Sequence, residues 1–188
     1  HMNSVEILVK EHDNILAFLG AVKNACLNII EGQEPDTGDF RKMIDFVRNY
    51  ADGHHHGKEE KFLFDHMVKE LGKIGKNLIT HGMMVEHDLG RLYMSDLEKA
   101  LDSYDEKPST EAKLGIISNA AGYASLLERH IEKENTLVFK YAEKNLPQES
   151  MDKVNEDSER FEEKAIADGV VDKYISLLEE MTSKYSRQ

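Results

Sequence analysis

Four histidines and two glutamates recur in this chain at one repeated spacing. Glu11-His12-Asp13 is followed by His55, 43 positions after His12, and then at i+4 by Glu59. Glu86-His87-Asp88 is followed by His130 and Glu134 at the same intervals. A shift of 75 positions lays one half on the other, and the flanks agree: Lys58-Glu59-Glu60-Lys61-Phe62-Leu63-Phe64 against Lys133-Glu134-Asn135-Thr136-Leu137-Val138-Phe139. On a helix, residues i and i+4 lie on one face, about 5–6 Å apart at Cβ, so each His–Glu pair points one way. Phe62 and Leu63, and Leu137 and Val138, follow on the next turns, so each pair continues the buried stripe of its own helix. His12 precedes Ile15, Leu16 and Leu19 in the same manner; His87 precedes Gly90, Arg91 and Met94, a weaker stripe. Carboxylates and imidazoles without partners are costly in a core, whereas a metal ion requires such donors there. One HxxxE motif is ordinarily a surface ion pair, and one histidine on an apolar stripe is ordinarily a satisfied core residue. Two of each in register predict a single centre for two metal ions, with His12, His55, Glu59, His87, His130 and Glu134 as ligands.

The repeat also sorts the run His54-His55-His56. Its counterparts are Arg129, His130 and Ile131, so only His55 maps to a histidine, and Glu59 rather than Glu60 maps to Glu134. His54 and His56 are therefore expected at the surface or behind the ligands. Four other residues are candidates to touch the centre. His81 lies six positions before His87, about 120° round an ideal helix, so direct ligation needs an irregular turn, which Gly82 permits; otherwise it stands behind the ligands or at the surface. Tyr123, seven before His130, contacts the centre or packs. Met83, with Met84 and Met94, lines the pocket or fills gaps. Arg91, one turn after His87, steadies a carboxylate or an anion, or is a surface cation. His66 is expected at the surface or in packing. Asp13 and Asp88 adjoin histidines, but neighbours on a helix diverge by about 100°, so both are expected at the surface.

The elements that must position these groups read as helices throughout. Apolar residues recur at helical spacing over roughly 4–31, 40–71, 77–102 and 110–144, and nothing alternates with period two. Gly32, the Gly72/Gly75 pair, Lys107-Pro108-Ser109-Thr110 and Asn145-Leu146-Pro147 break them. Gly53 and Gly57 flank the three histidines, so a bend or irregularity is expected there. Four long helices with short links predict an all-α fold, an up-down antiparallel four-helix bundle over 3–145. The remainder, 146–188, reads as two shorter helices broken near Asp168-Gly169, packed outside the bundle through Met151, Val154, Phe161, Ile166, Val171, Tyr174, Ile175 and Leu178.

The formal net charge of −12 disfavours nucleic acid, whose phosphates select Lys and Arg, and anionic membranes. One cysteine, Cys26, excludes an internal disulfide, a thiolate cluster and a CxxC redox pair; it reads as a small buried hydrophobe. No apolar run reaches the ~18–20 residues of a membrane span, and no signal peptide is visible, so a cytoplasmic setting is expected. His1-Met2 reads as a cloning remnant.

With these motifs on the page, the chain resembles the hemerythrin-like, HHE cation-binding family over residues 5–142. The resemblance implies a non-haem di-iron centre between the four helices, held by the six residues above with both glutamates bridging, and with zinc or manganese as substitutes. Two departures matter. The oxygen carriers of the family have a fifth histidine one turn before the position of His87, where this chain has Met83; they also carry an aspartate five residues after the last histidine, where this chain has Glu134 at four. It therefore looks like the bacterial four-histidine, two-glutamate branch. Two irons with octahedral shells want about twelve ligand positions. Four imidazoles and two bridging carboxylates fill about eight and a bridging oxide or hydroxide two, which leaves about two for water, O2, NO or peroxide. The expected function is binding of such a ligand for sensing, storage or detoxification. A redox enzyme (peroxidase-like, NO-reducing or repairing iron centres) and an iron- or zinc-handling module without turnover are the alternatives. The repair proteins of this resemblance often carry an N-terminal cysteine-containing segment, which this sequence does not show. The 148–186 segment is expected to cover one end of the bundle or to join a dimer.

Overall fold

The computed structural model describes residues 3–187; the His1-Met2 pair lies outside them. Six helices pack together and no strand occurs among the described residues. Helix α1 (Ser4–Ile30) starts where the Asn3 side chain accepts the Glu6 backbone N–H at 2.9 Å, which satisfies one of the unpaired donors of a first turn. Helix α2 spans 37–70 and is opened the same way by Asp36, and α4 spans 110–145 and is opened by Ser109. Of the two glycines read as a turn after α2, only Gly72 takes the left-handed conformation, with φ +64. Gly75 sits inside the next helix against Leu71, so α3 runs over 72–106 and begins earlier than the apolar periodicity suggests. Helices α1 to α4 form the antiparallel up-down bundle. Helices α5 (Gln148–Ala167) and α6 (Val170–Lys184) lie against α1 and α2. Met151, Val154, Tyr174 and Leu178 are buried in those contacts, whereas Ile166 is exposed.

The apolar core is divided in two. One cluster holds Ile15, Phe18, Phe46, Leu97 and Ile116; the other holds Leu8, Leu63, Phe64, Met83 and Phe139. On each bundle helix the residues between the two clusters are the histidines and glutamates of the repeat. A polar layer thus crosses a bundle that is otherwise apolar inside.

Around that layer the helices are locally widened. Glu59–Leu63 and Glu134–Val138 are π-helical turns. In each, a backbone N–H reaches back five residues: Phe64 to the Glu59 carbonyl and Phe139 to the Glu134 carbonyl. These two turns obey the internal repeat, and such widenings concentrate at functional sites. Ile79–Met83 is a third. The longest, Val47–His56, has no counterpart, because 122–131 is ordinary α-helix. More residues per turn means fewer degrees per residue, so consecutive side chains diverge less. That is why His54, His55 and His56 are all buried.

Gly53 stands within this wide stretch, and a Cβ there would lie 2.9 Å from the Arg48 carbonyl oxygen. Gly82, in the third π turn, has open space around it. Gly53→Ala is therefore expected to lower the unfolding free energy by about 1–2 kcal/mol, while Gly82→Ala is neutral or slightly stabilising. Denaturant titrations of the two variants check this; equal effects would contradict the close approach of the Arg48 carbonyl at 53.

Candidate metal centre

All six residues of the repeat converge on the polar layer and are at most 2% exposed. Their donor atoms form two groups that share Glu59: His12, His55, Glu59 and Glu134, and His56, Glu59, His87 and His130, with the atoms of each group within 4.8 Å of one another. Glu59 faces both. Its Oε2 lies 3.6 Å from Nε2 of His55 and its Oε1 lies 3.4 Å from Nε2 of His87. Oε1 of Glu134 likewise stands between the groups, 3.0 Å from Nε2 of His12 and 3.3 Å from Nε2 of His130.

The second group contains a residue that sequence reasoning set aside. His56 is neither at the surface nor behind the ligands; it is buried among them, stacked on His87 with ring centroids 3.6 Å apart. The repeat argument assumed that both halves wind alike, and the π stretch at 47–56 breaks that assumption. A fifth imidazole thus reaches the centre from position 56, not from position 83, where Met83 is buried in the apolar cluster beneath. His54 is also buried, but it points away from the centre towards Glu11 and Glu162.

Behind the imidazoles stands a ring of acceptors that repeats with the same shift. Glu11 accepts from Nδ1 of His55 at 2.8 Å, and Glu86 from Nδ1 of His130 at 3.0 Å. Lys58 and Lys133 hold these two carboxylates at 2.5 and 2.6 Å. Asn135 accepts from His12, and Glu60, its counterpart, accepts from His87, both at 2.6 Å. Asp52 accepts from His56 at 3.1 Å. Because these oxygens only accept, each Nδ1 is the donor, and the Nε2 lone pair is left to face the centre, the arrangement by which metal-binding imidazoles are oriented. Sequence reasoning missed this ring, although Glu11/Glu86, Lys58/Lys133 and Glu60/Asn135 were visible as repeated positions. Arg91 bridges Asp52 and Glu60, at 2.9 and 2.7 Å, and so steadies the partners of His56 and His87. Tyr123 is buried and lines a cavity of about 60 Å³ with Met94, Gly90, His56 and His87. His81 is exposed: the π turn at 79–83 does not swing it inward, and it is not a ligand candidate. His66 pairs with Glu70 away from the centre. Asp13 and Asp88 are exposed.

The cluster cannot satisfy itself. Nε2 of His55, both oxygens of Glu59 and Oε2 of Glu134 are buried without a hydrogen-bond partner, a costly condition that bound cations would relieve. The profile of the hemerythrin HHE cation binding domain matches residues 3–142. The chain belongs to this family. Its cation-binding character agrees with the two donor groups, whose nitrogen and oxygen donors, with no thiolate among them, fit a first-row metal ion such as iron, zinc or manganese. No curated protein is a match to this chain. Among the described residues no helix is long and apolar enough to cross a membrane.

The buried groups divide their charge unevenly. Burial and the facing Glu134 push the Glu59 carboxyl well above the ordinary carboxylate range. Burial acts on Glu134 in the same sense, but His130 and His12 hold it far below. Burial likewise opposes the charge on His130, yet Glu134 and Glu86 raise it to about 9. Burial above all pushes His55, His56 and His87 down to about 3.

These three imidazoles take up protons in the unfolded chain below about pH 6.5 but stay neutral in the fold until about pH 3. Over that window the unfolded state binds more protons, so stability falls as pH falls, by on the order of 1.4 kcal/mol per pH unit for each group. Glu59, with its raised pKa, acts in the opposite sense, as do His54 and His130 near pH 6.5 and above; below about pH 6 the unfolded chain protonates those two histidines as well, and the three neutral imidazoles dominate. The melting temperature of the metal-free protein is expected to fall steadily from about pH 6 to pH 4; a constant or rising value would contradict neutral buried imidazoles.

Proposed function

We propose that this protein holds two iron ions, one at His12 and His55, the other at His56, His87 and His130, with Glu59 and Glu134 bridging them. The centre serves to bind O2, NO or peroxide for sensing, storage or detoxification. The bundle over 3–145 carries it and the 146–188 extension packs against it. The observation that carries the reading is Glu59: it is fully buried, has no hydrogen-bond partner, and sets one oxygen towards each donor group. A pair of iron ions supplies electron exchange and an open position for a small ligand.

The residues of the chain do the rest. Five imidazoles and two carboxylates would supply about nine of the roughly twelve donor positions that two iron ions take, one more than four imidazoles would supply. The donors are unequal, three imidazoles on one side and two on the other, so an ion held by His12 and His55 would have more positions left for an external ligand. There His12 stacks on Phe139, and Leu8, Leu63 and Val138 of the lower apolar cluster continue below, so the surroundings exclude water. On the other side the cavity beside His56 and His87 has room for a diatomic molecule or a few waters.

Iron loaded and reduced without oxygen, then titrated with O2 under optical observation, tests the reading. The expected result is about two irons per chain and a stable, reversible band. Immediate oxidation without an adduct would favour the redox-enzyme reading, and well under two metals per chain would end both. Glu59→Ala and Glu134→Ala are expected to lose metal, whereas His56→Ala keeps both ions and reacts faster with external ligands. Unchanged ligand kinetics in His56→Ala would count against its place among the ligands.

A further inference from the structure

Where α5 crosses α1 and α2, a second buried cluster lies directly behind the centre. Lys58, only 2% exposed, sets its Nζ 2.5 Å from Oε2 of Glu11 and 2.6 Å from Oε2 of Glu162 on α5. Nε2 of His54 lies 3.1 Å from the same two oxygens, at ion-pair distance and without hydrogen-bond alignment. The other oxygen of Glu11 accepts from His55. A continuous path therefore runs from Glu162 in the extension through Lys58 and Glu11 to His55. Glu11, His54 and Glu162 have the donor spacing of a cation site, but the Lys58 ammonium already supplies the cation, so no third metal is called for.

The other half lacks the last member. Lys133 and Glu86 repeat Lys58 and Glu11, yet Lys133 is 49% exposed and, among the described residues, its one carboxylate partner is Glu86. Arg129, the counterpart of His54, is exposed. The extension thus adds to one half a carboxylate that the other half does without. An ammonium held by one carboxylate can follow that carboxylate as it moves. Held between carboxylates on two different helices, it is fixed, and it fixes Glu11 in turn.

Resting on the proposed di-iron centre, we infer that Glu162 is a positioning residue for it: acting through Lys58, it holds Glu11 in the orientation that aims His55. The extension is thereby part of what retains the ion on the His12–His55 side. Outer partners of ligating histidines typically affect metal affinity about 10–100-fold, and Glu162, one step further out, is assigned the lower end.

The test uses the iron-loaded 188-residue chain and follows iron release to an excess of chelator. Glu162→Gln keeps the shape and removes the charge. Glu156→Gln, whose residue pairs with Arg160 on the same helix, is the control. Glu162→Gln is expected to load two irons and to release one of them about tenfold faster, the other at the wild-type rate, with the control unchanged. In a Lys58→Gln background, adding Glu162→Gln is expected to change nothing further, since both act on one path. Wild-type release from Glu162→Gln, equal acceleration of both ions, or full additivity with Lys58→Gln overturns the inference and leaves the centre standing. Wild-type protein that takes up no iron overturns the centre itself.

Discussion

Everything in this fold is arranged around two carboxylates that face each other inside an apolar bundle. Glu59 and Glu134 are fully buried and repel. A four-helix core has no use for such a pair: leucine in both places would pack without penalty, and charge taken from water costs several kcal/mol per ion. The cations proposed beside the pair would offset that cost, and the imidazoles converge where they would supply the remaining donors. The two apolar clusters above and below it seal the layer from solvent.

Outward from that pair the molecule is built in shells, each aiming the one within. The imidazoles present Nε2 inward because carboxylates and an amide hold Nδ1; lysines and Arg91 hold those carboxylates. The inner shells are two-fold, as expected of an internal repeat. The asymmetries are few and local: the π stretch Val47–His56, which brings in a fifth imidazole; Asn135 in place of the Glu60 carboxylate; and α5, which covers one lysine and leaves its counterpart in solvent. Two unequal donor groups follow from a nearly symmetric scaffold.

Much of this was legible in the amino-acid sequence, because its signals were periodic. Helices were readable from apolar spacing, and the six core donors from two HxxxE motifs in register. His56 was not, because the comparison with Ile131 presupposed equal winding; the glycines at 53 and 57 marked an irregularity without giving its direction. The acceptor ring was present as repeated letters, but its partners sit on other helices. Asp13 and Asp88, the near neighbours, are exposed, while Glu11 and Glu86, on the other side of the same histidines, reach across to His55 and His130. Spacing along one helix says little about contacts between helices, which are fixed only by packing.

Crystals of the iron-loaded protein, measured at the iron absorption edge, test the central claim most directly. Two anomalous peaks about 3.5–4 Å apart, one on each side of the Glu59 carboxylate and each against its own group of imidazoles, are the predicted result. A single peak, or peaks away from Glu59, would contradict it.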